Sequence, residues 1–309
     1  MNENKIKIFV TGGTGYLGSL LVRELLNKGV FVYCLRRHSS DLSRLSDVSH
    51  LINWECLDEI DFTKFFSENQ IDVVLHCATN YGRKEVSPIS TIEANLMLPL
   101  IILHAAAENH IKAFINTDTI LDKRINHYSL SKKQFLEWMI SYADRMTCLN
   151  VALEHFYGPG DDPTKFVTYV INALIDKQDK IDLTIGTQKR DFIYIDDVVS
   201  AFTTILDKLS SFHVGFYDFE VGSGETIEVG EFVKKAKEIC CNQETFLNFG
   251  AIPLRTNEVM NSNVNNKKLL DMGWAPSKSL HEGLVKTICE ERSKRKVGMA
   301  SELVHNKAY

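Results

Sequence analysis

The sequence lacks a strong net charge and long hydrophobic runs. Its 309 residues carry a formal net charge of −5, so we expect no basic surface for nucleic acid or for an anionic membrane. The longest apolar runs, such as residues 98–107, are shorter than a membrane span, and no charged segment followed by an apolar leader opens the chain. We therefore predict a protein without nucleic-acid or membrane partners.

The sequence also lacks a cysteine framework. Its seven cysteines are odd in number and irregular in spacing, which argues against disulfides and against a zinc site. Most of them lie in apolar patterns, so we predict core thiols in a reducing cytoplasm and no bound metal. With 44% hydrophobic and 24% charged residues, the chain is typical of a globular protein with one large domain and an appended lobe.

A glycine turn near the start of the chain is the first informative motif. Gly12, Gly15 and Gly18 follow a β-branched run and precede an apolar helical pattern at 19–27. A strand, this glycine spacing and a helix are typical of dinucleotide binding, with the pyrophosphate at the helix N-terminus. The expected cofactor contacts in the turn are Gly12, Thr14, Gly15, Tyr16, Leu17 and Gly18. The alternative is a glycine-rich turn that binds nothing.

The second predicted strand, 30–35, ends in Arg36 and Arg37. An acidic residue at this strand end would bind the ribose hydroxyls of NAD, whereas arginine accommodates a 2′-phosphate. No Asp or Glu precedes Asp41, so we predict NADPH rather than NADH, with NAD the less favoured cofactor. The alternative is a solvated loop with two arginines.

Strand and helix patterns alternate through the first half. Strands are predicted at 52–56, 72–76, 113–117 and 148–153, and helices at 62–67, 88–109 and 128–143. Such alternation favours an α/β fold, a Rossmann doubly wound parallel sheet, whose ligands gather at the carboxyl ends of the strands. Further cofactor contacts are therefore expected at Leu57, Asp58, Cys77, Ala78, Thr79 and Thr117.

The second half shows weaker alternation. Helices are predicted at 164–177, 195–208, 229–240 and 280–292, with strands at 216–221 and 245–249. We predict a Rossmann domain over 1–155, a smaller α/β substrate-binding lobe over 156–292 with some return to the first domain, and a loosely ordered tail over 293–309.

Tyr128 and Lys132 are four residues apart on a predicted helix and therefore share one face. A nearby ammonium favours phenolate, so Lys132 is expected to lower the pKa of Tyr128 towards neutrality. A tyrosine with such a pKa can exchange a proton with a carbonyl while a hydride moves at the adjacent carbon. Taken alone, the same spacing also fits a solvated helix face.

Seven motifs in order resemble the extended short-chain dehydrogenase/reductase family, in its NAD-dependent epimerase/dehydratase branch that acts on nucleotide sugars. They lie at 11–18, 76–79, 95, 119, 128/132, 156–159 and 190–197. The resemblance implies a Rossmann-fold NAD(P)H-dependent oxidoreductase. It also implies a homodimer, built from the helices that carry Asn95 and Tyr128.

Segments at 116–119, 153–158, 249–252, 255–258 and 265–267 are similar to the 4-ketoreductases of CDP-3,6-dideoxyhexoses, the abequose and paratose type of O-antigen lipopolysaccharide. This resemblance implies a CDP- or dTDP-linked 4-ketohexose as substrate. Three alternatives stay open: a dTDP-4-dehydro-6-deoxyglucose reductase forming dTDP-fucose, an epimerase with tightly bound NAD, and a catalytically silent NADP(H)-sensing regulator.

The resemblance also implies catalytic roles. Tyr128 would donate the proton to the C4 oxygen, Lys132 would hold the nicotinamide ribose, and Thr119 would stabilise the developing charge. Thr117 is the rival for the threonine position. The related 4,6-dehydratases follow this threonine with Asp-Glu, whereas Ile120 and Leu121 stand here, which favours a reductase.

The resemblance further implies contacts for the substrate and the cofactor. Arg190 and Arg255 are candidates for the diphosphate because guanidinium binds phosphate oxygens bidentately, although each could instead pair with Asp191 or Glu258. Other substrate candidates are Lys165 and Phe166 for the base, and Tyr81, Arg83, Glu154 and His155 for the hexose. Asn95 and His155 complete the expected cofactor set, with Asn95 hydrogen-bonded beneath the active site.

Overall fold

The computed structural model describes residues 6–83, 87–255 and 257–305, with side chains to residue 296. The chain divides into two compact units. Unit 1 comprises residues 1–153, 199–221 and 265–274, and unit 2 comprises 154–198, 222–264 and 275–309. The predicted first domain, 1–155, leaves out the two later segments of unit 1, 199–221 and 265–274. Both lie within the predicted lobe, 156–292, for which some return to the first domain is expected.

The elements follow one another in an alternating order. The strands are β1 Lys7–Thr11, β2 Phe31–Arg36, β3 Asn53–Cys56, β4 Val73–His76, β5 Ala113–Thr119, β6 Thr147–Leu153, β7 His155–Tyr157, β8 Lys180–Leu183, β9 Lys189–Tyr194, β10 Gly215–Val221, β11 Thr226–Glu228 and β12 Phe246–Phe249. The helices are α1 Tyr16–Asn27, α2 Phe62–Asn69, α3 Pro88–Ile92, α4 Leu98–Glu108, α5 His127–Ser141, α6 Phe166–Ile175, α7 Ile195–Asp207, α8 Val229–Ile239, α9 Lys267–Asp271 and α10 Leu280–His305.

Unit 1 contains a seven-stranded parallel sheet in the order β10-β6-β5-β4-β1-β2-β3. This is the strand order of a dinucleotide-binding sheet with one strand added beside β6, which confirms the predicted fold class. The order reverses between β1 and β4, and the crevice at this switch point is where such sheets bind ligands. The glycine turn after β1 and residues 77–79 after β4 meet there.

The core of unit 1 is rich in aromatic side chains. Phe9 of β1 contacts three phenylalanines of α2, with ring centroids 5.3–6.1 Å apart. These rings belong to one buried cluster with residues of α4, α5 and β4–β6. Each fully buried phenylalanine contributes roughly 1.5–3 kcal/mol relative to an exposed one. The cluster therefore fixes helix α5 against β5, the strand whose end carries the predicted catalytic threonine.

The helical stretch from Pro88 to Glu108 contains a π-helical segment, Glu93–Met97, between α3 and α4. At 21 residues it is long and apolar enough to cross a membrane by length and composition. The expectation concerned continuous apolar runs such as 98–107; this longer helix also contains the polar residues Glu93 and Asn95. Its α4 part buries Ile102 and Leu103 in the core of unit 1, and a core helix meets the same criterion.

Unit 2 contains a three-stranded sheet, β11-β9-β7, and a two-stranded sheet, β12-β8. Helices α6, α8 and α10 contact one another, and Phe192 of β9 stacks on Phe232 of α8 at 4.1 Å between ring centroids. Helix α10 continues to His305, beyond the predicted end at 292. It therefore includes most of the segment predicted as a loosely ordered tail, and residues 306–309 lie outside the described part.

The cysteines are all free thiols, in agreement with the absence of a disulfide framework. Cys34, Cys148 and Cys240 are buried, but Cys241 and Cys289 are exposed. The prediction of core thiols is therefore wrong for these last two positions.

Candidate functional site

The glycine turn is held tightly against the end of β4. Gly12 has φ +70°, and a Cβ there would lie 2.4 Å from the main-chain nitrogen of Ala78. A Cβ on Gly18 would lie 2.1 Å from the carbonyl oxygen of Gly12. Only glycine fits these two positions without moving the main chain, so the close approach of turn, helix and strand depends on them.

The start of α1 is suited to an anion. Its N-cap is Gly15, which offers no side-chain cap, and its first turn contains no acidic residue. The first amide groups of a helix lack intrahelical partners and carry a partial positive charge. The residues present therefore fit the pyrophosphate of a dinucleotide, as predicted from the glycine spacing.

Arg36 ends strand β2 at the same edge of the sheet. Its main-chain oxygen accepts from Leu57 N at 2.9 Å, which places residues 57 and 58 beside it. Among the described residues, none hydrogen-bonds the buried Arg36 Nε. Arg37 and Asp58 are exposed. A half-buried guanidinium with an unused donor is suited to a phosphate at the adenosine end of the crevice.

The segment after β4 is fixed by buried polar contacts. His76 Nδ1 lies 2.8 Å from Thr11 Oγ1, which also accepts from Ala78 N at 3.3 Å. Burial, with a smaller contribution from the Lys132 ammonium, holds the pKa of His76 well below its usual value, so the imidazole is neutral. These contacts tie the ends of β1 and β4 together beneath the glycine turn.

Asn95 lies in the π-helical segment and joins two parts of the site. Its side chain exchanges two 2.8 Å hydrogen bonds with the main chain of Asn80 and donates to Ser131 Oγ at 3.1 Å. Ser131 in turn donates to Tyr128 O at 2.8 Å. Asn95 therefore connects the loop after β4 with the helix that carries Tyr128, and π-bulges are frequent at functional sites.

Thr119 and Tyr128 approach each other from β5 and α5. The Thr119 side chain is near enough to Tyr128 to lower its pKa, and Thr119 Oγ1 accepts from Leu121 N at 3.2 Å. Thr117 Oγ1 instead donates to His76 O at 3.1 Å. Strand β5 pairs with β6 in unbroken register to Thr119, so no bulge intervenes. Tyr81 packs on Tyr128 with ring centroids 5.1 Å apart, and Arg83 lies over Tyr81.

The pKa of Tyr128 differs from the expectation. Burial, followed by the proximity of Tyr81 and Asp118, raises the pKa well above its usual value, and the Thr119 hydrogen bond and Arg83 oppose this only in part. The prediction of a pKa near neutrality is wrong for this structure. The phenol is therefore protonated at neutral pH, the state that a proton donor requires.

Lys132 is buried beneath the site and donates to the main-chain oxygen of Thr117 at 2.7 Å. Burial disfavours its ammonium form and lowers the pKa to about 8. The side chain is therefore mostly charged at neutral pH, when it can donate further hydrogen bonds.

Asp118 and Lys133 adjoin two catalytic candidates, and sequence reasoning gave neither a role. Their side chains pair at 2.7 Å, and the Asp118 side chain is fully buried. A second lysine directly after Lys132 and an aspartate within an apolar strand were the available signals. The spacing of residues along the helix could not show that Lys133 of α5 reaches Asp118 near the end of β5.

The remaining substrate candidates belong to unit 2. Arg190 pairs with Glu258. The sequence left this pairing open as a surface bridge, but both side chains are largely buried. Glu154 accepts from Ser262 and lies 3.0 Å from His155 Nδ1, and these contacts lower the Glu154 pKa against the opposing effect of burial.

Three other candidates of unit 2 lie nearer the surface. Lys165 pairs with Asp161 at 2.9 Å and lies over the Phe156 ring. Phe166 and Arg255 are exposed.

One group of potential metal ligands occurs in the described part of the chain. His38, Cys56 and Glu59 bring their ligand atoms within 4.8 Å of one another. His38 and Glu59 are exposed and form a 3.2 Å pair. This contact accounts for the proximity of His38 and Glu59, so we assign no metal to the group.

The parallel sheet and its glycine turn are those of a Rossmann-type dinucleotide-binding fold. A model of the NAD dependent epimerase/dehydratase family matches residues 8–222. Since this is more than half of the sequence, the chain belongs to that family, which confirms the resemblance.

Two curated relatives are CDP-abequose synthases. That of Salmonella muenchen is 34% identical over 297 residues, which cover 93% of this chain and 98% of the relative. That of Salmonella typhimurium is 33% identical over 290 residues, covering 90% and 95%. The crystal structure of UDP-glucuronic acid 4-epimerase from Bacillus cereus, in complex with UDP-glucuronic acid and NAD, has the same fold. It matches with a TM-score of 0.81 at 20% identity and covers 93% of this chain and 99% of its own.

Proposed function

We propose that this protein is an NADPH-dependent 4-ketoreductase of a nucleotide-activated 4-keto-6-deoxy- or 3,6-dideoxyhexose. The observation that carries the proposal is the placement of Thr119, at the end of β5, beside the buried Tyr128, in the first turn of α5, at the carboxyl edge of the sheet. The similarity to CDP-abequose synthases along most of the chain supports a CDP-linked sugar. We place the enzyme in the cytoplasm, in the synthesis of surface-polysaccharide sugars.

Reduction of a ketone needs a hydride for the carbon and a proton for the oxygen. NADPH, when bound, supplies the hydride. Tyr128 gives its phenolic proton to the C4 oxygen, and Thr119 donates a hydrogen bond to that oxygen as negative charge develops. Lys132 holds the nicotinamide ribose through its ammonium.

Reduction is favoured over dehydration by the residues after Thr119. Ile120 and Leu121 cannot act as an acid and a base, so the chain offers no groups there to eliminate water.

Arg36 favours NADPH, because its buried Nε–H donates to none of the described residues and is available to a 2′-phosphate.

We propose that unit 1 binds the dinucleotide and that unit 2 supplies the nucleotide-sugar contacts. Arg255 and Lys165 are the proposed phosphate and base contacts, and Arg190 would contribute only if Glu258 released it.

We further propose a homodimer formed through α4 and α5. Ile101 and Trp138, on these two helices, are 51% and 45% exposed and border one groove. Met97, just before α4, is 47% exposed. We call these three side chains the apolar patch. Burying such side chains against a second copy would remove them from water, which is the usual reason for an exposed apolar cluster.

Incubation of the protein with NADPH and CDP-4-keto-3,6-dideoxyglucose tests the proposal. We expect loss of NADPH absorbance and formation of a C4 alcohol, identified by NMR of the sugar. The dTDP-4-keto-6-deoxyglucose arm separates the CDP from the dTDP substrate. Cofactor that co-purifies as NAD, without net NADPH consumption, would indicate an epimerase; cofactor binding without turnover on any nucleotide 4-ketosugar would indicate a regulator.

A further inference from the structure

A charged pair lies inside unit 1, directly behind the proposed proton donor. Asp118 is on β5 and Lys133 on α5, and Lys133 Nζ lies 2.7 Å from Asp118 Oδ2. The Asp118 side chain is 0% exposed and that of Lys133 is 23% exposed. A buried pair of this kind is weak evidence for stability, because removal of two charges from water offsets their attraction. Its position therefore needs another explanation.

The carboxylate of Asp118 is fully satisfied by hydrogen bonds. Oδ1 accepts from Thr119 N at 2.7 Å, and Oδ2 accepts from Lys133 and from Asn150 Nδ2 at 3.1 Å. Asn150 on β6 is itself fixed by Asn116 and by Asp218 on β10, each at 2.8 Å. The network spans three strands and a helix, with Asn116 Oδ1 its one buried oxygen that lacks a partner among the described residues. Hydrogen bonds that connect several elements in this way restrict their relative movement.

Both members of the pair act on Thr119. Lys133 Nζ donates to Thr119 O at 2.7 Å, while Asp118 accepts from Thr119 N. The two main-chain polar groups of Thr119 are thus held by the same ion pair. Lys133 also follows Lys132 on the helix that carries Tyr128, so the pair connects the strand and the helix whose side chains meet at the proposed reacting oxygen.

We propose that Asp118 and Lys133 are positioning residues, which hold Thr119 and Tyr128 in hydrogen-bonding register. This inference rests on the proposed function for its catalytic consequence. The pair touches neither substrate nor cofactor in this role. A displacement of about 1 Å at a reacting group can reduce the rate about 100-fold, so its loss is expected to affect turnover more than binding.

The test compares Lys133→Met and Asp118→Asn with the wild type. We expect kcat to fall about 10- to 100-fold in each, with KM for NADPH changed less than about twofold. Lys133→Arg, which keeps the cation, should recover part of the loss. The matched control is Lys112→Met, because Lys112 pairs with Asp72 at 2.6 Å at the amino ends of β4 and β5. If neither single variant folds, the double variant carries the comparison, because it leaves no unpaired buried charge.

A second measurement needs no turnover. In protein with ¹³Cζ-labelled tyrosine, the Tyr128 signal is identified by its absence in Tyr128→Phe. We expect Lys133→Met to shift this signal and Lys112→Met to leave it in place. A Lys133→Met signal at the wild-type position, or a kcat within about twofold of the wild type, would overturn the inference. If the wild type shows no turnover but the Tyr128 signal shifts in Lys133→Met, the proposed function is contradicted and the positioning role is not.

Discussion

The Thr119 side chain lies beside Tyr128 and acts on its pKa, and the two residues come from different elements, β5 and α5. The contact joins a strand end at the ligand-binding edge of the sheet to the first turn of a helix. An acid and a hydrogen-bond donor at one point are the groups that carbonyl reduction requires.

Replacing Thr119 with Val should lower kcat about 10²- to 10³-fold, because the developing oxyanion loses a donor. Thr117→Val is the matched comparison, since its hydroxyl is engaged by His76 O rather than by Tyr128. Steady-state kinetics on both variants decides between the two threonines. A larger loss of kcat in Thr117→Val would show that Thr117, and not Thr119, donates the hydrogen bond to the developing oxyanion.

Tyr128→Phe should reduce kcat about 10²- to 10⁴-fold through loss of the general acid. NADPH affinity, measured by fluorescence titration, should change little. Tyr217→Phe is a suitable control because Tyr217 lies on β10 and its hydroxyl accepts from His213 N. Full activity in Tyr128→Phe would remove this residue from the mechanism.

The dissociation constant for NADPH should increase with pH above about 8. The pKa of Lys132 is lowered to about 8 by burial, so the ammonium is present below that pH and is lost as the pH rises through it. If the ribose binds only the charged form, the dissociation constant increases about tenfold per pH unit above the pKa. Lys132→Met should bind NADPH weakly at all pH values and lack this dependence. A flat profile in the wild type would contradict the role.

Arg36→Ala should weaken NADPH binding about 10- to 100-fold, as expected for loss of a charge-assisted hydrogen bond worth roughly 1.5–3 kcal/mol. NADH binding should change much less, because NADH lacks the 2′-phosphate. Calorimetric titration with both cofactors measures the difference. Arg124→Ala provides an exposed arginine control, paired with Asp122 at 2.8 Å. Equal effects on NADPH and NADH would show that Arg36 does not select the phosphate.

Ile101→Glu should convert the proposed dimer to a monomer, because a charge in a buried interface is costly. Light scattering after size-exclusion chromatography measures the mass. Val214→Glu tests whether any added surface charge has this effect, since Val214 is 60% exposed and lies outside the apolar patch. A wild-type monomer would contradict the dimer directly.

Features set by neighbouring residues could be predicted from the sequence. The glycine spacing, the strand and helix alternation and the Tyr128–Lys132 pattern each depend on local geometry. They led to the Rossmann fold and to the family. The helix bounds were less accurate at α10, because the sequence after residue 292 has no apolar period to indicate a helix.

Other features depend on which distant side chains meet. The separate contacts of Thr117 and Thr119, the Asp118–Lys133 pair and the Arg190–Glu258 pair each involve residues on different strands or in remote segments. The pKa of Tyr128 is raised and not lowered, because burial disfavours the phenolate and burial is a property of packing. The sequence by itself determined the fold and the types of groups at the site, and only the tertiary structure decided their contacts and charge states.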